Sequence, residues 1–466
     1  MPHSISRRAS CGEGRVSSAR PIVAAILLSV AGALPLAAAG FEAGVARVSI
    51  TPPTPFWMSG YAARTHPSEG VEMELWAKAL AVRDGRGGAA VVVTTDLIGL
   101  PRAISEEVAA RVESRFGVKR AALVLSSSHT HCGPAVRKNL AVLYDFDEES
   151  RKAVDAYGST LVDRLVEVVG AALADLAPAR LSVGHGTAAF AVNRREPTPN
   201  GVVIGVNPKG PVDHDVPVLK VEGRDGSLRA VLFAYACHNT TLGGDFYRIG
   251  GDYAGYAQAE IEAAHPKAVA LFVMLCGGDQ NPSPRGTLDL ARAHGHALAA
   301  EVGRVLGART RRLKPPVRVA FETATLDFAP RSRTDYEADL AGRDVFRQRR
   351  ARLMLAAWDE GRPIAQTPYP VQAVRFGRGL TLVALGGEPV VDYALRAKRE
   401  LRGEDLVVAG YCNDVMGYIP SRRVLLEGGY EAVDNTIYYG LPGPFADTVE
   451  ERVFDAVRRV VTAVGR

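Results

Sequence analysis

Apolar runs that empty into short polar loops recur along this chain. They are AAVVVTTD ending at Asp96, AALVLSSSHTHCGP at His129 and His131, LRAVLFAYACHN at His238, AVALFVMLCGGDQN at Asp279 and LTLVALGGE at Glu388. Each run has the length of a buried strand and stops at turn-forming or ionisable residues, so the pattern predicts strands feeding loops. In open α/β sheets the carboxyl ends of such strands gather side chains remote in sequence into one cleft. On that reading His129, His238 and Glu388 converge. Tyr418, in GYCNDVMGYIP after the further run LVVAGY, joins them.

Between the runs the period changes to that of helices. SEEVAARVESRFG, Ser105 to Gly117, carries a Ser cap, Glu in the first turn and a closing Gly. Lys152 to Leu176, AGYAQAEIEAAH and ARAHGHALAAEVGRVLG repeat small and apolar residues at helical spacing. The alternation predicts an α/β fold. It is a single large domain with mixed or parallel sheets flanked by helices and a metal site at the C-terminal ends of the strands. REPTPNGVVIGVNPKGPVDHD, rich in Pro, Gly and Asn, is expected to be irregular, and Arg333 to Gly361 to be a polar helical excursion on the surface. After Gly440 one amphipathic closing helix remains, so no separate C-terminal domain is expected.

Composition changes this picture at the amino terminus. Arg7, Arg8, Arg15 and Arg20 precede PIVAAILLSVAGALPLAAA, 19 apolar and small residues from Pro21 to Ala39. A basic start, an apolar middle and an Ala-rich exit describe an export signal over 1–39, followed by a hydrolase domain over 40–466 in the periplasm or outside the cell. An uncleaved anchor is the competing reading, because 19 residues can just span a bilayer. Positions 1–39 carry four Arg against one Glu, so the formal charge of +5 falls to +2 without them. That balance gives no reason to expect nucleic acid as a partner. Beyond Cys11 the cysteines are Cys132, Cys237, Cys276 and Cys412, with no CxxC pair, which disfavours a thiolate zinc site. Disulfides bracing the site and buried free thiols both remain open.

The chemistry concentrates in a few loops. In HTH at 129–131, residues two apart on an extended segment point the same way, so one imidazole can hold a metal while the other moves protons. Two His and a carboxylate form a catalytic zinc set with room for water or substrate, and the pattern reads as a metal hydrolase. The plain alternatives are satisfied polar residues at strand ends, a core histidine at His238, and a Glu388 that caps the helix beginning near Pro389.

Taken together the segments resemble the catalytic domain of the neutral, non-lysosomal ceramidases. The likeness runs through GVARVSITPP, SSHTHCGP, NRREP, FAYACHNTTL with GGDYAGY, GGDQNP, PVQAVRFG with LVALGGEP, and GYIPSRRVLLEGGYE, in the family's order. The resemblance implies one Zn2+ ion bound by His129, His238, Glu388 and Tyr418. It implies that His131 is the general base and acid, and that Arg194 and Tyr430 position and polarise the scissile amide. The substrate class it implies is an N-acyl lipid such as ceramide, with peripheral membrane contact. The chain departs from the family's GDVSPN loop: Asn281 stands where that loop has Ser. An Asn donates a hydrogen bond to an oxyanion but cannot be a nucleophile. The sandwich domain of ceramide-hydrolysing members is also missing from the likeness.

Two further readings stand beside this one: a zinc hydrolase of a different amide or ester, and a non-catalytic metal-binding surface protein. Retention of His131, Arg194 and Tyr430 argues against the latter. Asp252 and Asp279 read as turn-formers or as partners that orient the histidines. His294 and His296, on a helical pattern, read as structural, and RQRRARLM at 347–354 reads as a solvated basic face.

Overall fold

The computed structural model describes residues 12–15, 40–403 and 405–465. The chain divides into two compact units, Met1–Ala38 and Ala39–Arg466. The export-signal expectation therefore falls, apart from Gly12–Arg15, outside the described residues. Among the described residues no helix is long and apolar enough to cross a membrane.

The second unit is built on a large mixed sheet. Its strands run in the order Val269–Met274, Leu228–Tyr235, Asp215–Gly223, Ala177–Thr187, Phe41–Ser49, Trp76–Asp84, Ala89–Thr95, Leu123–Ser127. The outermost pair at each edge is parallel and the strands between them pair antiparallel. A four-stranded sheet of Arg318–Asp327, Gln366–Arg375, Thr381–Leu385 and Leu406–Ala409 packs on one face, where Leu80, Val92, Val124, Leu232 and Leu271 meet Val374, Leu382 and Val407. The other face is covered by helices at both ends. Arg102–Phe116 and Glu148–Ala174 lie over the Leu123–Ser127 end, and Asp252–Ala264 and Leu288–Gly307 over the opposite end. Asp392–Glu400 and Val449–Gly465 close the outside of the smaller sheet.

All six apolar runs form strands, because residues such as Val91–Val93, Leu123–Leu125 and Phe272–Met274 are buried on both faces and leave no alternation to misread. The sheet differs from the open sheet expected. It curls until its two edges approach, and Leu406–Ala409 ties them: Ala409 bridges to Leu275 beyond one edge strand, and Cys412 to Ser126 in the other. His129 and His238, which come after strands at opposite ends of the sheet order, meet for this reason.

Three local expectations are corrected. The first helix begins at Arg102, not at Ser105, because its first N–H is satisfied by Asp414 Oδ1 at 2.9 Å from a distant loop; Ser105 is buried inside it. The expected C-cap holds, with Gly117 at φ 71° donating to Glu113 O. The Pro/Gly-rich stretch expected to be irregular is a hairpin, Ala191–Thr198 with Gly201–Asn207. The basic face at 347–354 is not wholly solvated, since Arg350 is buried against Asp339 at 2.5 Å. The polar excursion is two helices, Arg333–Ala341 and Val345–Asp359. Cys132, Cys237, Cys276 and Cys412 are buried free thiols.

Candidate active site

His129 does not continue its strand. It takes φ 60°, a left-handed conformation that costs a non-glycine residue on the order of 1–3 kcal/mol. The extended HTH segment expected from alternation is thus a turn, yet both rings still face one centre, with His131 Nε2 3.1 Å from His129 Nε2. His129 Nδ1 faces Ile98 O at 2.6 Å and His238 Nδ1 faces Gly277 O at 2.7 Å. A carbonyl oxygen only accepts, so each Nδ1 carries the proton and each Nε2 presents a lone pair.

Glu388 and Tyr418 are register partners in a two-residue parallel pair, Glu388–Pro389 with Tyr418–Ile419, which sets the carboxylate beside the phenol. The preceding turn needs glycine: Gly387 has φ 63°, and a Cβ there would lie 2.6 Å from Gly417 O. Glu388 Oε2 lies 3.0 Å from His129 Nε2 and 3.1 Å from His238 Nε2, and Tyr418 Oη lies 2.9 Å from His238 Nε2. Ligands on a tetrahedral ion with bonds near 2.0 Å sit about 3.3 Å apart, and these three separations lie within a few tenths of an ångström of that. A second observation points the same way. Glu388 Oε2 is buried and accepts no hydrogen bond, although it faces two imidazole nitrogens whose lone pairs repel it. A cation resolves that conflict. His129, His131 and His238 together place one nitrogen each within 4.8 Å of one another.

His131 differs from the ligand candidates in being only half-buried and lining the cavity. Burial holds its imidazole well below the usual histidine range, which leaves the ring neutral. Burial, then Arg194, pushes His238 down to about 3, so that ring also stays neutral.

Arg194 and Asn281 are brought together by the small sheet in which Gln280–Pro282 pairs with the hairpin. Arg194 Nη2 donates to Tyr418 Oη at 2.9 Å, Nη1 to Asn281 Oδ1 at 3.3 Å and Nε to Glu431 Oε1 at 2.7 Å. Tyr430 packs edge-on against Tyr418 with ring centroids 5.3 Å apart, and burial raises its phenol pKa. A cavity of about 280 Å³ opens over these groups, lined by His129, His131, Arg194, Asn281, Glu388, Tyr418 and Tyr430 among others. All eight side chains singled out from the sequence therefore meet at one place.

Sequence reasoning missed three supporting groups. Tyr439 Oη donates to Glu388 Oε1 at 2.5 Å and fixes the carboxylate. Glu431 binds both Arg194 and Arg195, the latter at 2.6 Å. Tyr411 lies with its ring 4.5 Å from that of His129. The adjacent arginines in NRREP were the available signal, because two buried guanidiniums require a buried carboxylate. Asp279 is more than a turn-former: its carboxylate accepts from Val391 N at 2.8 Å and Asn193 Nδ2 at 3.0 Å, joining the Glu388 loop to the Arg194 strand. Asp252 accepts from nearby backbone, at Leu242 N and Tyr253 N. His294 is structural, stacked on Phe190 and bound to Pro284 O.

The neutral/alkaline non-lysosomal ceramidase N-terminal family model matches residues 41–289, a span holding His129, His131, Arg194, His238 and Asn281. A neutral ceramidase of Mycobacterium tuberculosis is 25% identical over 460 residues, covering 80% of this chain and 70% of that protein. The neutral ceramidase of Pseudomonas aeruginosa is 28% identical over 240 residues, covering 48% of this chain and 34% of its own length. The crystal structure of neutral ceramidase from Pseudomonas aeruginosa superposes with a TM-score of 0.68 at 20% identity, covering 90% of this chain and 75% of that one. A second solved structure, a ceramidase complexed with C2, superposes with a TM-score of 0.69 at 19% identity. With a family match across more than half its length and the same fold, this chain belongs to the neutral/alkaline non-lysosomal ceramidase family.

Proposed function

We propose that the protein is an exported zinc-dependent amidohydrolase that cleaves the amide of an N-acyl lipid, of which ceramide is the named example. The observation that carries this reading is the pair of Nε2 lone pairs converging on an otherwise unpaired Glu388 oxygen, with a neutral imidazole beside them. What zinc supplies when held by His129, His238, Glu388 and Tyr418 is Lewis acidity, enough to bring the pKa of a water to about 7 and to polarise an amide carbonyl.

The chain's own residues do the rest. His131, which lines the cavity, accepts the proton of the attacking water and returns it to the leaving nitrogen. Tyr430 and Arg194 line the cavity where negative charge develops on the carbonyl oxygen, and one such donor is typically worth about 3 kcal/mol. Glu431 keeps the Arg194 fork aimed at Tyr418 and Asn281. Ile98, Leu140, Leu143 and Ile204 give the cavity an apolar wall suited to an acyl chain. The basic start and apolar leader over 1–39 support export to the periplasm or beyond.

The test is a panel of N-acyl amides and matched esters offered to zinc-loaded protein lacking residues 1–39. Cleavage of the amides, abolished by a chelator and restored by zinc, is expected. Firm zinc binding with no turnover on any member of the panel would favour the non-catalytic reading instead.

A further inference from the structure

The cavity lining is of two kinds. Ile98, Leu140, Leu143 and Ile204 make up its apolar wall, whereas Tyr61, Thr240, Asn281 and Arg285, linked by hydrogen bonds of Arg285 to Tyr61 and of Thr240 to Asn281, make up its polar wall. His131 belongs to the polar side, its ring edge-on to Tyr61 with centroids 4.9 Å apart. Gly60 makes this approach possible: at φ 96°, a Cβ there would lie 2.5 Å from His131 Nδ1. If His131 hands its proton to the departing nitrogen, as in the amidohydrolase reading on which this inference rests, the amine fragment lies along the polar wall. The acyl chain then lies along the apolar one.

Two guanidiniums stand on the amine side without a carboxylate partner among the described residues. Arg64 is buried and donates to three carbonyl oxygens, those of Ser59, of His131 at 2.7 Å and of Phe246 at 3.1 Å. Arg285 is exposed at the cavity mouth and donates to Tyr61 Oη at 3.2 Å, while that hydroxyl donates to Leu242 O at 2.6 Å. Arg194, by contrast, is paired with Glu431. A simple long-chain amine leaves as a cation, which Arg64 and Arg285 repel. An amino acid leaves with a carboxylate, which a guanidinium fork holds by charge-assisted hydrogen bonds. Tyr61 accepts from Arg285 at the mouth, and the Arg285 side chain makes no other hydrogen bond among the described residues.

We propose that the preferred substrates are N-acyl amides whose amine fragment carries a carboxylate, that is N-acyl amino acids, and that Arg285 binds that carboxylate. Asn281 on the same wall is a neutral donor compatible with it.

N-dodecanoylglycine and N-dodecanoylethanolamine differ in this respect alone, a carboxylate against a hydroxymethyl group. With zinc-loaded protein, kcat/KM is expected to favour the glycine conjugate by about tenfold or more, the size of one hydrogen-bonded charge pair. That ratio falls by about the same factor in Arg285→Ala and is partly restored in Arg285→Lys. A wild-type ratio at or below one, or an Arg285→Ala change equal for both compounds, overturns the proposal while leaving the amidohydrolase reading intact. Calorimetric binding of the same two compounds separates the other case. Arg285-dependent binding of the glycine conjugate without cleavage of either keeps the carboxylate site and removes the reaction. Neither binding nor cleavage of either compound overturns both.

Discussion

The His131→Ala protein is expected to keep bound metal and to lose turnover by roughly 10²- to 10⁴-fold, the usual contribution of a positioned general base. The expectation rests on an asymmetry among the three imidazoles. His129 and His238 each spend Nδ1 on a carbonyl oxygen and aim Nε2 at Glu388, whereas His131 Nδ1 has no partner and its ring borders the cavity. A ligand is fixed in tautomer and orientation by its second hydrogen bond. A group that must gain and lose a proton is better left without one. Metal content by elemental analysis and kcat on one N-acyl amide read the two properties separately. Loss of metal together with turnover would make His131 a third imidazole ligand and displace Tyr418 from the set.

Replacing Glu431 with Gln is expected to destabilise the fold by about 3–5 kcal/mol, as removal of one partner from a buried ion pair does. Glu431 is 1% exposed and holds Arg194 Nε at 2.7 Å and Arg195 Nη1 at 2.6 Å. A Gln at 431 keeps one acceptor but turns an NH2 against the second guanidinium and leaves two buried cations without a buried anion. Glu427, which pairs with Arg195 and Arg423 and is 35% exposed, is the control, and Glu427→Gln is expected to cost about 1 kcal/mol or less. Burial favours the Glu431 acid, but Arg194 and Arg195 outweigh it and lower its pKa. The stability it contributes is therefore full above the unfolded carboxyl pKa of about 4.3 and lost as pH falls through the folded value. Denaturant midpoints of the two variants at neutral pH decide the matter. Equal small losses would mean that the arginine pair does not depend on Glu431.

Much of the candidate site was legible in the sequence because its proposed ligands punctuate strands buried on both faces. Runs such as Leu228–Tyr235 and Thr381–Leu385 carry no other reading, and residues just past a strand end are free to serve chemistry. What stayed hidden was long-range. No periodicity announces that the large sheet curls until Ala409 and Cys412 tie its edges, yet that curl brings His129 to His238. The cap of the first helix was missed because Asp414 supplies it from more than 300 residues away. The hairpin at 191–207 was misread because its exposed strand, with Val203, Ile204 and Val206 open to solvent, lacks the apolar face that marks most strands. Tyr439 and Glu431 are single polar residues in the closing segments, and nothing in their local pattern separates them from surface groups.

The central claim is convergence of four donors on one cation, and anomalous X-ray scattering at the zinc edge from crystals of the zinc-loaded protein tests it most directly. One peak bounded by His129 Nε2, His238 Nε2, Glu388 Oε2 and Tyr418 Oη is the predicted result. No peak between these atoms, or zinc held at another cluster, would contradict the account.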